Sequence, residues 1–342
     1  VISASHNLFE DNGIKFFNKD GQKFSAELEK RIETKLTQEM IAVESINLGK
    51  ASRMNDAQGR YIEFCKSSFT DLDLNGLSIL LDCANGATYS VAPKVFSELG
   101  AKVETIGSSP DGININQNCG STNPDFLKEE IIKGSYDLGI AFDGDGDRIL
   151  IVNSEGDILD GDDILYILSN NLAPNSGVVG TLMTNKALEI YFEKNDIPFL
   201  RADVGDKYVL QRLLEESWVL GGEPSGHIIC LDSAPTGDAI IAALNLLDAT
   251  KDNNFSVKKS LEGFKKFPQT LINLKVNNPN KIIVSDKFWS EVTRIEKQLG
   301  RNGRVLIRPS GTEPLIRIMV ESDKSGASHD FCNALADLAQ TI

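Results

Sequence analysis

Three aspartates alternate with glycines in the segment Asp143-Gly144-Asp145-Gly146-Asp147, and Arg148 follows them directly. At a separation of 4 Å and an effective dielectric constant of 20, each pair of carboxylates would repel by roughly 4 kcal/mol. A bound cation relieves this repulsion, and the glycines allow the backbone to curl until three carboxylate oxygens converge. The pattern therefore predicts a site for a hard divalent cation such as Mg²⁺.

Two other interpretations of the acidic segment compete with the metal site. A helix-loop-helix calcium loop also starts with aspartate at its first, third and fifth positions, but it needs glycine at the sixth and glutamate at the twelfth. Those positions hold Arg148 and Ser154, so that pattern is not met. A solvated acidic turn is the plainer alternative. It does not explain why the carboxylates directly follow a buried strand predicted at 137–142, at an edge where open α/β sheets bind ligands.

A second polar cluster opens the chain, with Ile2-Ser3-Ala4-Ser5-His6-Asn7 followed by Asp11-Asn12-Gly13-Ile14-Lys15. Small hydroxyl residues near an Asn-Gly turn are typical of a loop that presents a hydroxyl group. Taken alone, these residues also fit a polar turn between two strands, which is the plainer interpretation. A serine hydrolase is disfavoured because His6 adjoins Ser5 and cannot readily fold back to act as its base. The chain also has no Gly-x-Ser-x-Gly segment.

Two further clusters place polar side chains beside predicted strands. In Gly221-Gly222-Glu223-Pro224-Ser225-Gly226-His227, Glu223 and Ser225 could bind sugar hydroxyls, and the imidazole of His227 could move a proton near neutral pH. The segment Arg308-Pro309-Ser310-Gly311-Thr312-Glu313-Pro314-Leu315-Ile316-Arg317 combines hydroxyls, amides and two guanidiniums, a mixture that suits a phosphate dianion. A tight turn and a plain surface loop remain open as alternatives.

Composition narrows the class of partner. The chain has 342 residues with 49 acidic and 35 basic side chains, and its net charge of −14 disfavours nucleic acid and anionic lipid. No apolar run is long enough for a membrane helix. The five cysteines are scattered without metal-ligand spacing, which predicts reduced thiols, no zinc site and a cytoplasmic location. Cations are therefore expected to be concentrated locally around an anionic small-molecule ligand.

Apolar runs alternate with amphipathic stretches, which is the pattern of βα units. Strands are predicted at 78–84, 102–106, 137–142, 177–182, 197–200 and 218–220, and helices at 87–99, 126–133, 186–194, 206–216 and 238–249. This order predicts two α/β domains in series. The order then changes, which predicts a smaller α+β domain with a helix at 285–299, strands at 304–308 and 315–320, and a helix at 329–338. The polar segment 250–256 is the predicted linker.

In this order, the four clusters resemble the four signature loops of the α-D-phosphohexomutase superfamily, and the resemblance extends from Ile2 to Glu321. The segments most similar to its bacterial phosphoglucosamine mutase branch are 2–7, 11–17, 201–208, 236–238 and 310–317. Phosphomannomutase/phosphoglucomutase relatives usually carry a different phosphate loop and a different start of the serine loop.

The resemblance implies an isomerase that interconverts glucosamine 6-phosphate and glucosamine 1-phosphate and so feeds UDP-N-acetylglucosamine synthesis. Ser5 would carry a phosphoryl group, one Mg²⁺ would be held by that group with Asp143, Asp145 and Asp147, and glucosamine 1,6-bisphosphate would be activator and intermediate. The other implied roles are acid–base chemistry or charge stabilisation by Lys15, His227 and Arg148, sugar recognition by Glu223 and Ser225, and phosphate binding by Arg308, Ser310, Gly311, Thr312 and Arg317. A phosphomannomutase/phosphoglucomutase and a non-catalytic sugar-phosphate-binding fragment stay open as alternatives.

The resemblance also implies four domains around a central cleft, three of them α/β and the last an α+β lid. The predicted divisions are 1–60 with the phosphoserine loop, 61–157 with the metal-binding loop, 158–256 with the sugar-binding loop and 257–342 with the phosphate-binding loop. Residues 1–60 would correspond only to the end of the first domain, so a truncated first domain is expected. Members of this branch are often dimers, which makes a homodimer a further expectation.

Overall fold

Strands and helices alternate along most of the chain, as the spacing of apolar residues predicts. A computed structural model describes residues 1–19, 21, 23–40, 42–276, 278–309 and 314–342. The strands in these ranges are β1 (Ile2–Ser3), β2 (Gly13–Ile14), β3 (Ser78–Asp82), β4 (Lys102–Ile106), β5 (Leu138–Phe142), β6 (Ile149–Asn153), β7 (Ile158–Leu159), β8 (Val178–Thr181), β9 (Phe199–Ala202), β10 (Leu220–Gly222), β11 (Ile228–Cys230), β12 (Gln269–Lys275), β13 (Gly303–Pro309) and β14 (Leu315–Ser322).

Helices fill most of the segments between the strands. The α-helices in the described ranges are α1 (Ala26–Leu36), α2 (Ala57–Ser67), α3 (Ala92–Glu98), α4 (Asp125–Lys133), α5 (Gly161–Ser169), α6 (Lys186–Lys194), α7 (Asp206–Glu216), α8 (Ala239–Thr250), α9 (Val257–Ser260), α10 (Pro279–Ile283), α11 (Asp286–Leu299) and α12 (Ala327–Gln340). Among the helices of the described residues, none combines the length and apolar character needed to cross a bilayer.

A five-stranded sheet carries the acidic segment. Its strand order is β4-β3-β5-β6-β7, in which β3 is parallel to β4 and β5, β6 is antiparallel to β5, and β7 is antiparallel to β6. Every residue of β5 is buried, and Leu127 and Ile131 of α4 pack in the same core. The acidic loop 143–148 connects β5 to β6. The carboxylates therefore follow a buried strand, as the sequence predicts.

A four-stranded sheet carries the predicted sugar-binding segment. Its order is β11-β10-β8-β9, with β10 parallel to β8 and antiparallel to β11. The segment 223–227 forms the β10–β11 connection. Helix α8 is apolar on most sides and is almost entirely buried, and Asp238 caps its first turn by accepting a 3.0 Å hydrogen bond from the amide of Ile241.

The described chain divides into two units. The first contains Val1–Met183 and Leu200–Glu262, and the second contains Thr184–Phe199 and Gly263–Ile342. In the second unit, the antiparallel sheet β12-β14-β13 packs against α11 and α12 through side chains such as Phe288 and Leu335. This confirms the α/β fold class with an α+β carboxyl-terminal part. The division into four domains at 60, 157 and 256 stays a prediction.

Two predicted strands begin later than the sequence suggests, and the preceding helix ends explain why. The expected strand at 197–200 is β9, which starts at Phe199 because the amide of Ile197 still donates a 2.9 Å hydrogen bond to Phe192 of α6. The expected strand at 218–220 is β10, which starts at Leu220 because the amide of Trp218 bonds to Leu213 of α7 at 2.9 Å. Both helices use these residues to satisfy their last carbonyls.

Other differences concern the linker and one helix start. Residues 250–256, predicted as a linker, complete α8 and a short 3₁₀ turn within the first unit. The predicted helix 87–99 is split into a 3₁₀ helix over Ala87–Ser90 and α3, because Pro93 favours a helix start at its position.

Asp82 anchors the loops at the end of β3. Its buried carboxylate accepts hydrogen bonds from the amides of Ala84 at 3.0 Å and Gly120 at 2.6 Å. Burial raises the pKa of Asp82, and these two hydrogen bonds oppose that change. The loop after β3 and the loop containing residues 114–121 are thus joined through one side chain.

Removing this carboxylate should destabilise the protein. The change Asp82→Ala leaves two buried amides without an acceptor, so the free energy of unfolding should fall by about 2–4 kcal/mol. Asp73→Ala is a matched control, because exposed Asp73 also accepts a backbone hydrogen bond, from Asn75 at 2.9 Å, but in contact with solvent. Urea unfolding of both variants measures the difference. Equal losses for Asp82→Ala and Asp73→Ala would contradict the anchoring role.

Candidate active site

The serine segment and Lys15 belong to one antiparallel hairpin, in which Ile2 of β1 pairs with Ile14 of β2. Residues 4–12 form its loop and carry Ser5 close to the end of β1. Lys15 directly follows β2, and its amide donates a 2.8 Å hydrogen bond to the carbonyl of Val1. The hairpin therefore holds the predicted nucleophile and a predicted acid–base residue in one small element.

Ser5 has a left-handed backbone with a φ of 50°. This conformation costs an L-residue about 1–3 kcal/mol and persists only where the surroundings enforce it. Here the amide of Ser5 donates to the hydroxyl of Ser3 at 2.9 Å, and its carbonyl accepts from the amide of Gly144 at 3.1 Å. The Ser5 hydroxyl lies 3.4 Å from Nδ1 of His6. The serine loop therefore contacts the acidic loop directly.

The acidic loop is folded by hydrogen bonds to its own first residue. Oδ1 of Asp143 accepts from the amides of Asp147 at 3.0 Å and Arg148 at 3.1 Å, and its carbonyl accepts from Gly146 at 3.1 Å. Gly146 has a φ of 75°, a left-handed conformation that favours glycine. As a result, Asp143, Asp145 and Asp147 each offer a ligand atom within 4.8 Å of the others.

The three carboxylates fit a hard divalent cation. Each has one buried oxygen without a hydrogen-bond partner in the described part of the chain, namely Asp143 Oδ2, Asp145 Oδ1 and Asp147 Oδ1. Burial, followed by the charges of Asp147 and Asp145, raises the pKa of Asp143 to about 7. Buried carboxylate oxygens without donors are unfavourable, and oxygen ligands are those that hard cations prefer. The acidic cluster can therefore bind a metal ion.

Lys15 lies against this cluster, with Nζ 2.5 Å from Oδ2 of Asp145 and 3.5 Å from Oδ2 of Asp147. Burial acts to lower the pKa of Lys15, but the hydrogen bond to Asp145 and the two nearby negative charges outweigh it and raise the pKa. The hydroxyl of Ser3 donates to the same oxygen of Asp145. Lys15 is thus a cation at neutral pH, suited to stabilising negative charge or donating a proton.

The loop 223–227 lies next to the acidic loop, because the amide of Ile149 donates a 3.0 Å hydrogen bond to the carbonyl of Gly226. His227 is only 5% exposed. Its Nδ1 lies 3.6 Å from Oδ1 of Asp147, and its Nε2 lies 3.7 Å from Oδ2 of Asp206. An imidazole between two carboxylates is well placed to accept a proton.

Nearby positive charges lower the pKa values of the two carboxylates beside His227, Asp147 and Asp206. Burial acts to raise the pKa of Asp147, but His227, Lys15 and Arg148 outweigh it and hold that pKa well below its usual range. Burial also acts to raise the pKa of Asp206, but His227 and Lys23, whose Nζ lies 2.5 Å away, lower it. Both carboxylates are therefore ionised at neutral pH.

The remaining predicted residues of the first unit differ in their exposure. Arg148 is partly buried, and its Nε lies 3.9 Å from Asp147 without a hydrogen-bond partner among the described residues. Glu223 is buried, and its Oε1 accepts a 2.9 Å hydrogen bond from the amide of Gly205. Ser225 is exposed at the tip of the same loop. One oxygen of Glu223 therefore serves the protein backbone rather than a ligand.

In the second unit, Arg308 of β13 lies directly opposite Arg317 of β14. Arg317 is exposed and Arg308 is half-buried. Like charges at directly opposed positions of an antiparallel pair are destabilising, and an anion bound between them relieves the repulsion. Ser310, Gly311 and Thr312, predicted for the same site, lie outside the described residues.

Several residues that shape the site are not among the predicted site residues, although Ser3 and Gly144 lie inside the serine and acidic segments. They contact the serine loop, the acidic loop or His227, and they are Ser3, Asn116, Gly144 and Asp206. Of these, Asp206 lies in the segment 201–208, whose resemblance to the phosphoglucosamine branch could have drawn attention to it. The others would have required knowledge of which distant loops meet.

Family models match four parts of the chain. The alpha/beta/alpha domains I, II and III of the phosphoglucomutase/phosphomannomutase family match residues 1–42, 59–156 and 160–267, in that order. The C-terminal domain of the same family matches residues 271–338. Three solved structures share the fold at low sequence identity. The N-acetylphosphoglucosamine mutase of Aspergillus fumigatus, in complex with GlcNAc-6P and magnesium, has a TM-score of 0.80 at 18% identity and covers 99% of this chain and 88% of that one.

The other two structures come from bacteria. A phosphoglucomutase/phosphomannomutase family protein from Burkholderia thailandensis has a TM-score of 0.77 at 23% identity, over 99% of this chain and 76% of that one. A phosphomannomutase-like protein from Thermus thermophilus has a TM-score of 0.76 at 20% identity, over 99% of this chain and 77% of that one. At these identities the similarity establishes the fold alone.

Curated relatives narrow the family further. The phosphoglucosamine mutase of Legionella pneumophila (strain Corby) is 51% identical over 342 residues, covering 98% of this chain and 75% of that relative. The phosphoglucosamine mutase of Aeromonas salmonicida (strain A449) is 50% identical over 346 residues, covering 100% of this chain and 78% of that relative. Since the acidic loop contacts both the serine loop and the loop 223–227, and this similarity extends along the chain, the protein belongs to the phosphoglucosamine mutase family of the α-D-phosphohexomutase superfamily.

Proposed function

We propose that the protein interconverts glucosamine 6-phosphate and glucosamine 1-phosphate, with Ser5 as phosphoryl carrier and glucosamine 1,6-bisphosphate as intermediate. The observation that carries this proposal is the hydrogen bond from the amide of Gly144 to the carbonyl of Ser5, which holds a candidate nucleophile against a cation-binding loop. The choice of an amino sugar is supported by the relatives at about 50% identity, which are named phosphoglucosamine mutases.

In the first step, the phosphoryl group on Oγ of Ser5 passes to the free C1 hydroxyl of glucosamine 6-phosphate. The Oγ–P bond breaks and a P–O bond to the sugar forms. The hydroxyl proton of the sugar passes to the unprotonated imidazole of His227, and Oγ of Ser5 takes a proton from Lys15. Lys15 and Arg148 stabilise the negative charge that is transferred, because Lys15 is held as a cation and Nε of Arg148 is not used by a described protein acceptor. Positioning and charge neutralisation account for most of the rate in phosphoryl transfer.

The bisphosphate then turns within the site and returns its other phosphoryl group, so that Ser5 is rephosphorylated and glucosamine 1-phosphate leaves. Arg308 and Arg317, with Ser310, Gly311 and Thr312, are proposed to bind the phosphate that is not reacting. Glu223, through its second oxygen, and Ser225 are proposed to bind sugar hydroxyls. Asp143, Asp145 and Asp147 would hold Mg²⁺, which when bound neutralises the negative charge of the phosphoryl group.

The proposed activity can be tested by incubating the purified protein with Mg²⁺, a trace of glucosamine 1,6-bisphosphate and glucosamine 6-phosphate. We expect glucosamine 1-phosphate to appear in ³¹P NMR spectra, and a chelator to stop its formation. Turnover of mannose or glucose phosphates without turnover of the amino sugar would assign the protein to the phosphomannomutase/phosphoglucomutase branch. Binding of these phosphates without turnover of any would indicate a non-catalytic sugar-phosphate-binding protein.

Removing the exposed guanidinium of Arg317 should weaken substrate binding. Arg317→Ala deletes one charged contact to the distal phosphate, so KM for glucosamine 6-phosphate should rise by about 10- to 100-fold while kcat changes much less. Lys297→Ala is the control, because it removes one exposed cation from α11 of the same unit. Initial rates over a substrate series measure both constants. A loss confined to kcat would contradict the binding role of Arg317.

A further inference from the structure

Asn116 lies beneath the serine loop and uses both hydrogens of its amide group there. Its Nδ2 donates to the carbonyl of Ser5 at 2.8 Å and to the carbonyl of Asn7 at 2.6 Å. The side chain is only 6% exposed. Two hydrogen bonds from a single buried atom thus fix the main chain on both sides of His6.

The chemistry of these contacts requires an asparagine. A primary amide is the short neutral group that offers two donors on one nitrogen, whereas a serine offers one donor and an aspartate offers none. Asn116 also has a left-handed φ of 58°, a conformation that asparagine adopts more readily than most residues. Residue type and backbone geometry therefore agree at this position.

The side chain of Asn116 and the carbonyls of Ser5 and Asn7 that it holds are here called the clamp. The clamp is connected to the sheet through the main chain of Asn116. The amide of Asn116 donates a 2.8 Å hydrogen bond to the carbonyl of Ala84, whose own amide donates to the buried carboxylate of Asp82 at 3.0 Å. Asp82 is the last residue of β3. Asn116 is thus held by the same central strand that pairs with β5, which leads into the acidic loop.

Gly144 of the acidic loop contacts the same carbonyl of Ser5 that Asn116 binds. A β-carbon at Gly144 would lie 2.5 Å from the carbonyl oxygen of Ser5 and 2.7 Å from Nδ2 of Asn116. The carbonyl of Ser5 therefore accepts hydrogen bonds from both Gly144 and Asn116 in a space that admits no side chain at residue 144. These contacts enforce the left-handed conformation of Ser5 and fix where its hydroxyl is presented.

We propose that Asn116 is a positioning residue for phosphoryl transfer, which orients Ser5 over the acidic loop by holding the carbonyls of Ser5 and Asn7. The role in transfer rests on the proposed function, whereas the clamp itself rests only on the contacts above. Near-attack geometry is sensitive to small displacements, and a shift of about 1 Å can lower a rate by about 100-fold.

The test compares two asparagines with the same backbone conformation. Asn116→Gly removes the amide group while keeping the left-handed conformation accessible. Asn118→Gly is the matched control, because Asn118 also has a left-handed φ, 55°, but its side chain is exposed and forms no hydrogen bond with the described residues 3–7. Asn116→Asp is a second variant, with a side chain of nearly equal volume. It places a carboxylate oxygen, which only accepts hydrogen bonds, next to the carbonyls of Ser5 and Asn7 in place of the donating amide group.

Activity is measured as kcat and KM for glucosamine 6-phosphate. We expect Asn116→Gly to lower kcat by about 10- to 100-fold with KM within about threefold of the unmodified protein, since the distal phosphate and sugar contacts are untouched. Asn116→Asp should lower kcat at least as much, and Asn118→Gly should change neither constant. Thermal unfolding identifies which of the two Asn116 variants are folded. One folded variant is enough for the comparison with Asn118→Gly.

Amide hydrogen exchange gives a readout that does not depend on activity. The amides of Asn7 and Gly144 donate to Ala4 and Ser5, so we expect both to exchange about tenfold or more faster in a folded Asn116 variant and unchanged in Asn118→Gly. Unchanged exchange would overturn the clamp. Faster exchange with an unchanged kcat, or an equal loss of kcat in Asn118→Gly, would overturn the positioning role. A lack of turnover by the unmodified protein would instead refute the proposed function, and the exchange comparison would still decide the clamp.

Discussion

Replacing Ser5 with alanine should abolish turnover of glucosamine 6-phosphate, with a loss of at least about 10³-fold, because it removes the hydroxyl proposed to carry the phosphoryl group. The fold should be retained. The serine hydroxyl makes one long contact, 3.4 Å to His6, and alanine bears the same left-handed conformation at a similar cost. Coupled assays of product formation measure the rate, and thermal unfolding measures the stability.

A second variant separates the lost hydroxyl from altered backbone geometry. Ser5→Gly also lacks the hydroxyl but adopts a left-handed φ without strain. We expect Ser5→Gly to be as inactive as Ser5→Ala. Its free energy of unfolding should lie within about 1 kcal/mol of that of the original protein. A folded Ser5→Ala protein that keeps a rate within about tenfold of the original would exclude Ser5 as the carrier.

Replacing Asp145 with asparagine should raise the Mg²⁺ concentration needed for half-maximal rate by about 10- to 100-fold, because one anionic ligand is lost from a three-carboxylate site. The charge repulsion that the cation relieves also falls. Mg²⁺ should therefore raise the melting temperature of the variant less than that of the original protein. The melting comparison requires no turnover, so it tests the metal site independently of the reaction.

The matched control for this change is Asp125→Asn. Asp125 is exposed in the first turn of α4, so the substitution changes the net charge equally without touching the acidic loop. Its Mg²⁺ dependence, and the rise in its melting temperature when Mg²⁺ is added, should match those of the original protein. An Asp145→Asn protein with the same Mg²⁺ dependence as Asp125→Asn would show that Asp145 is not a ligand.

Sequence patterns predict the helices and strands that are determined by residues close to one another in the chain. Helix α6 lies at the predicted 186–194 and α7 at the predicted 206–216, because an amphipathic period and strong helix formers determine both. The buried run of β5 and the three carboxylates that follow it were also predicted together. These features depend on neighbours within a few residues, and no distant partner changes them.

Features that depend on distant partners were not predictable in this way. The run 149–153 follows a glycine-rich turn, and nothing in its composition says that it returns antiparallel to β5 as β6. Ser3 and Asp145 are 142 residues apart, and Asn116 and Ser5 are 111 apart, yet each pair is hydrogen-bonded. The resemblance to the phosphohexomutases supplied the grouping of the loops, but it did not indicate the side chains that hold them together.

The most direct test of the account is to locate the phosphoryl group. The protein is incubated with glucosamine 1,6-bisphosphate and Mg²⁺ and digested after lysine and arginine, and the peptide that contains Ser5 and ends at Lys15 is fragmented in a mass spectrometer. We predict one added phosphoryl group on this peptide, with the fragments assigning it to Ser5 rather than Ser3. A protein that turns over substrate while the peptide containing Ser5 stays unmodified, or while another residue carries the group, would contradict the account.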